Sequence, residues 1–193
     1  IAAGDVVTLS MTPTNLRQFY INYGSDRHKL IDISQWGAVP WTSMYSAFSG
    51  CSKLNVTATD MPVLTSVNSL SQMFLGCYIL SGPSNIGSWN TSSIIDMGFI
   101  FSNCSIFNQN IGAWNTAAVT NMGGMFEQAT SFNQNIGGWN TAAVTNMQSM
   151  FKFASSFNQN IGGWNTAAVT NMTQMFQSAS SFNQNIGNWN TAA

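Results

Sequence analysis

Residues 132–147 read FNQNIGGWNTAAVTNM, and the same sixteen letters return at 157–172 and, with Ala113 in place of one glycine, at 107–122. The spacing is constant: Phe107, Phe132, Phe157 and Phe182 stand at equal steps of twenty-five, as do Trp89, Trp114, Trp139, Trp164 and Trp189. Repetition at this spacing marks chains built from stacked units, none of which can close a core alone. The differences between units concentrate between the methionine and the next phenylalanine: GGMFEQATS, QSMFKFASS and TQMFQSASS at 123–131, 148–156 and 173–181.

The skeleton extends upstream in diverged form. With Phe126, Phe151 and Phe176 as origins, a valine lies seven before, a methionine four before, an alanine three after and another Phe six after. Phe101 carries Ile94, Met97, Cys104 and Phe107 at those offsets; Phe74 carries Val67, Leu70, Cys77 and Leu80; Phe48 carries Trp41, Met44, Cys51 and Leu54. About six coils are therefore expected over residues 33–193, with a further half coil around Trp189. The expected core comprises Phe107, Ile111, Trp114, Val119, Met122, Phe126, Phe132, Ile136, Trp139, Val144, Met147, Phe151, Phe157, Trp164 and Phe176.

The fold class that follows is a repeat solenoid with one short parallel β-strand and one short helix or 3₁₀ turn per unit. FNQNI is the expected strand. TNMxxMFxxA, with apolar residues at i, i+3, i+4 and i+7, is the expected helical face. Residues 1–32 do not repeat. VVTLSM (6–11), RQFYINY (17–23) and HKLIDIS (28–34) alternate as strands do, with a turn at Gly24–Arg27, so an N-terminal β cap over residues 1–32 is expected. The C-terminal end, NWNTAA, carries no capping pattern, so either further repeats or a second subunit stacked end to end is expected there.

Only 6% of residues are Asp, Glu, Lys or Arg, and the formal net charge is −1, against a usual charged fraction of roughly 25%. Such a chain has no field with which to hold nucleic acid, and no apolar run reaches the roughly 18 residues of a membrane span. The single histidine, His28, has no nucleophile and acid placed to complete a catalytic set. No cofactor or metal is expected, since Cys51, Cys77 and Cys104 lack zinc-site spacing. Each takes the small site held in later units by Ala129, Ala154 and Ala179, so all three are expected to be buried free thiols.

The recurring amides call for partners. Asn108, Asn133, Asn158 and Asn183 fall where each coil must bend, and stacked amides there can bond to the backbone and to one another. Together with the threonine row Thr116, Thr141 and Thr166 they also form a candidate ligand face for polysaccharide or ice, although Thr-Ala-Ala is also what a tightly stacked corner selects. Asn55 and Asn90 are the best of four N-x-S/T sequons if the chain passes through a eukaryotic secretory route.

AFSGCSKLNV, beginning at Ala47, resembles the core of the BspA-type (Treponema-type) leucine-rich repeats. Units of the form VTNMxxMFxxAxxFNQxIGxWNT resemble the bacterial surface-protein repeat of the same period, also found in mycoplasma surface proteins as a domain of unknown function. The resemblance implies a right-handed coil displayed outside the cell, with roles in adhesion, protein–protein contact or surface assembly and no catalytic residues. A structural subunit of a virion or an extracellular filament is the alternative. The family repeat commonly has Asp where WNTAAVTNM here has Asn or Ala.

Overall fold

A backbone that repeats with a fixed period can pair each segment with its own copy one unit on, and the chain does so. The computed structural model describes residues 15–190. Ser69, Asp96, Asn121, Asn146 and Asn171 form one continuous series of single-residue parallel pairings, each with the next. Longer strands are sparse: β1 (Asp32–Ile33) pairs in parallel with β2 (Asn55–Val56), and a 3₁₀ turn spans Ile86–Ser88. The remaining described residues run as turns and irregular segments.

The inter-unit bonds follow a rule. The N–H groups of Met122, Gly124, Phe126 and Gln128 donate forward to the carbonyls of Asn146, Gln148, Met150 and Lys152, at 2.7–2.9 Å. The N–H groups between them turn back within the unit, from Met125 to Met122, Glu127 to Gly124 and Ala129 to Phe126. The next unit repeats the pattern from Met147, Ser149, Phe151 and Phe153. Half the amides of this segment are thus committed to the neighbouring unit, which rules out an α-helix, whose amides all bond internally. Left-handed residues recur four apart, at Gly124 and Gln128, then Ser149 and Phe153, then Gln174 and Ser178. The apolar spacing of TNMxxMFxxA is met by these successive turns, each closed by a bond to the third residue back; of the expected short helix or 3₁₀ turn, the helix is not present.

The expected strand at FNQNI is not present either. The pairing falls on the Asn of TNM, and the amide of Asn133 is met by a side chain, Asn108 Oδ1, at 3.0 Å. Of the N-terminal segments, VVTLSM lies outside the described residues. RQFYINY and HKLIDIS pair forward in parallel, Gln18 with Ser43 and β1 with β2. Turn bonds at Arg27 to Gly24 and Lys29 to Asp26 join them. Residues 17–33 therefore bond to 43–58 much as one unit bonds to the next.

Inside, the rings form columns. Phe126 lies 3.9 Å from Phe132 in its own unit and 5.7 Å from Phe151 in the next, with planes within 8° of parallel. Phe132–Phe157 and Trp139–Trp164 continue parallel columns. A single buried cluster runs from Trp36 to Met175 and contains every expected core residue except Phe176. Phe176 is partly buried because its stacking partners, Phe151, Phe182 and Trp189, all lie on one side or in its own unit. Each ring column removes apolar surface at about 25 cal/mol per Å², which is where the stability of a chain so poor in regular structure comes from.

The indoles are tied in as well. Nε1 of Trp114, Trp139, Trp164 and Trp189 donates to the carbonyl of Ile86, Ile111, Ile136 and Ile161, one unit back, at 2.8–3.2 Å.

Candidate functional surface

The side chains that could carry function divide into those spent on stacking and those left outside. Asn121 Nδ2 donates to Asp96 Oδ1 at 2.7 Å and Asn146 Nδ2 to Asn121 Oδ1 at 2.9 Å, while each carbonyl or carboxylate oxygen also accepts the N–H two residues on. Asn121→Ala should therefore cost about 1–3 kcal/mol, because it strands the buried N–H of Gly123 and an amide of Asn146. Urea unfolding measures this, and a neutral substitution would contradict it.

The row Asn108, Asn133 and Asn158 is spent in the same way. Each Oδ1 accepts the backbone N–H and a Gln Nε2 of the following unit, at 2.9–3.0 Å. Asn183 contributes its backbone N–H to Asn158 and is exposed. Thr116, Thr141 and Thr166 do not form a ligand face: they are buried, and each Oγ1 donates to the carbonyl of Asn140, Asn165 or Asn190 at 2.9–3.0 Å. A threonine hydroxyl turned inward to satisfy a corner carbonyl has nothing left to offer outside. Asn55 is half-buried in β2, its Oδ1 accepting from Ser81 and Gly82, so it is a poor glycan acceptor. Asn90 is exposed, its Oδ1 accepting from Ser92.

Cys51, Cys77 and Cys104 are free and buried. Cys77 Sγ donates to the carbonyl of Phe48 at 3.3 Å and Cys104 Sγ to that of Phe74 at 3.1 Å, continuing the unit-to-unit pattern. Burial pushes the Cys51 thiol up to about 11, the charge of Arg27 opposing it weakly, and pushes Cys77 and Cys104 well above their ordinary range. Neutral thiols in the fold and ionisable ones in the unfolded chain give a stability that is whole below about pH 9 and lost as the pH climbs through the folded values. The urea midpoint should fall between pH 9 and 11, and by less in the Cys51→Ala, Cys77→Ala, Cys104→Ala triple variant. Identical pH profiles would contradict the assignment.

Among the described residues no group of three or more His, Cys, Asp or Glu is placed to hold a metal ion, and no helix is long and apolar enough to cross a membrane. His28 Nδ1 lies 2.9 Å from Ser52 Oγ in an exposed contact.

Among the described residues, part of one flank is left outside the stacking. Tyr78, Asn103, Ser105, Gln128, Thr130 and Phe153 line a shallow groove of about 310 Å³ running along the stack. Tyr78 is 51% and Phe153 41% exposed. Asn103, Gln128 and Phe153 occupy the same place in successive units, two residues after the origin phenylalanine, and all three have left-handed backbone, with φ of 61°, 58° and 58°. The sequence signal was the variable strip between Met and Phe, which a helical reading assigns to plain solvent.

A family model described as "Mycoplasma protein of unknown function, DUF285" matches residues 42–152 and 118–193. No curated protein matches the chain, and no solved structure does.

Proposed function

Because the chain belongs to the Mycoplasma protein family of unknown function DUF285, we propose that it is a non-enzymatic scaffold displayed on a cell surface, a leucine-rich-repeat-like solenoid of the BspA kind that presents its flanks for adhesion. The observation that carries this reading is the use of the side chains. The apolar set, and most of the amides and hydroxyls with it, are consumed in joining each unit to the next. What remains is a regular, nearly uncharged exterior that can be lengthened by adding units without changing any one of them.

A scaffold of this kind binds through rows of side chains that repeat along its length. Shaving intact cells that make the protein with a protease should release its peptides before lysis, and beads coated with the protein should adhere to a partner surface. Peptides released only on lysis would sink surface display; inert beads would sink adhesion.

A second reading, end-to-end assembly, draws on the last described unit. Met172, Phe176, Ile186 and Trp189 line a concavity of about 410 Å³ there and are only partly buried, whereas their equivalents in earlier units are covered by the next unit. A second copy of the chain is the partner this reading names for that face.

A further inference from the structure

We propose that the groove between Tyr78 and Phe153 binds a neutral polysaccharide strand lying along the stack. The proposal rests on the reading of the chain as a binding scaffold and names the class of ligand.

The groove has the chemistry of sugar recognition. Two exposed rings stand at its ends, in units three apart, which at about 4.8 Å per unit places them roughly 14 Å from one another. Exposed rings of this sort offer flat apolar faces of the size of a pyranose C–H face. Between them lies a floor of two amides and two hydroxyls. Ser105 Oγ donates to the Tyr78 carbonyl at 3.0 Å and Thr130 Oγ1 to the Ser105 carbonyl at 3.1 Å. Their protons are thus engaged in the fold, and their lone pairs remain to accept from hydroxyls. Asn103 Nδ2 donates to Ser102 Oγ at 3.1 Å, leaving its carbonyl oxygen as an acceptor, while Gln128 is exposed and brings both donors and acceptor. A ligand rich in hydroxyl groups matches that set.

The ligand should also be uncharged. No carboxylate, ammonium or guanidinium lines the groove. Lys152 Nζ, which lies 5.6 Å from the centre of the Phe153 ring, has its charge met by Glu127 at 3.9 Å and donates to Gln174 Oε1 at 2.9 Å.

Two further observations bear on this strip. Asn103, Gln128 and Phe153 hold side chains at a left-handed backbone position that two earlier units fill with glycine, Gly50 and Gly76. Such a conformation disfavours a side chain, and a bulky one most, yet Phe153 carries a ring there that is 41% exposed. The late units are nearly verbatim copies, yet this position reads Asn, Gln, Phe and Ser in turn at 103, 128, 153 and 178. The variation lies where a ligand would be read.

The test is affinity electrophoresis of the full chain in native gels containing mannan, galactomannan, dextran or hydroxyethyl cellulose, with polygalacturonate and heparin as charged comparisons. Retardation by at least one neutral polymer is expected, weakened at least tenfold in Tyr78→Ser and Phe153→Ser and unchanged in Tyr45→Ser. These substitutions copy residues the chain already uses at the same places, Ser105, Ser178 and Ser71, so the fold should hold. Phe153→Gln, copying Gln128, provides a second groove variant. No retardation by any neutral polymer, retardation by charged polymers alone, or equal retardation of the groove variants would overturn the proposal. If beads adhere while the gels show no retardation, the groove assignment fails and the adhesion reading stands.

Discussion

Phe126→Ala should lower the unfolding free energy by about 3–5 kcal/mol, the cost of emptying a well-packed core site. Phe126 is fully buried and lies within 6.3 Å, centre to centre, of Phe101, Phe132, Phe151 and Trp139. Those rings belong to three successive units, so none can shift into the space without breaking the register of the backbone bonds around it. Phe126 N–H itself donates to Met150 at 2.9 Å. Phe176→Ala removes the same ring at the same position in a partly buried setting, and should cost clearly less, about 1–2 kcal/mol. Urea midpoints for the pair decide the matter. Equal losses would mean that the rings do not act as one column.

The second large effect comes from a single methyl group. A Cβ at Gly137 would lie 2.4 Å from the carbonyl oxygen of Asn160, a backbone atom of the next unit. The same contact recurs at Gly87, Gly112 and Gly162, at 2.4–2.6 Å. Nothing flexible stands in the way to yield, so the two units must separate. Gly137→Ala should therefore cost about 3 kcal/mol, at the upper end of overpacking. Gly138 is the built-in comparison: a Cβ there meets nothing within 4 Å, and other units carry Ser88, Ala113 and Asn188 at that place. Gly138→Ala should be neutral or stabilising by up to about 1 kcal/mol, through the unfolded chain. Thermal unfolding of the two variants separates them, and similar melting temperatures would contradict the close approach.

The spacing of the two glycines shows what a sequence of this kind reveals. An invariant and a variable glycine stand side by side in IGG, and the repeats alone distinguish them, since only the second is replaced elsewhere. The inward set was legible for the same reason: Phe132, Ile136, Trp139, Val144 and Met147 are apolar in each late copy and fully or nearly fully buried. Local conformation was not legible. Met122, Met125, Phe126 and Ala129 fit a helical face, but a run of turns four residues long presents the same side chains inward, and periodicity does not distinguish the two. The direction of the amides does, and it depends on the neighbouring unit.

The threonine row failed for a related reason. Thr116, Thr141 and Thr166 look like an exposed polar ladder in the one-dimensional pattern, yet a carbonyl at a tight corner needs a donor, and the hydroxyl turns inward to supply it. The groove was illegible because its six residues come from four units and share no local motif. In the sequence only the variability of the strip marks it; the left-handed backbone under Asn103, Gln128 and Phe153 has a counterpart four residues earlier in each unit, as at Phe99, Ser149 and Gln174.

The most direct test of the account is an excision. Removing residues 133–157 takes out one whole period and joins Phe132 to Asn158, the residue that its own neighbour Asn133 matches. If each period is one layer of a stack, the shortened chain keeps a single cooperative thermal transition and its buried tryptophan emission, while removal of residues 133–145 alone destroys both. Loss of cooperative unfolding on excision of the full period, or equal tolerance of both cuts, would contradict it.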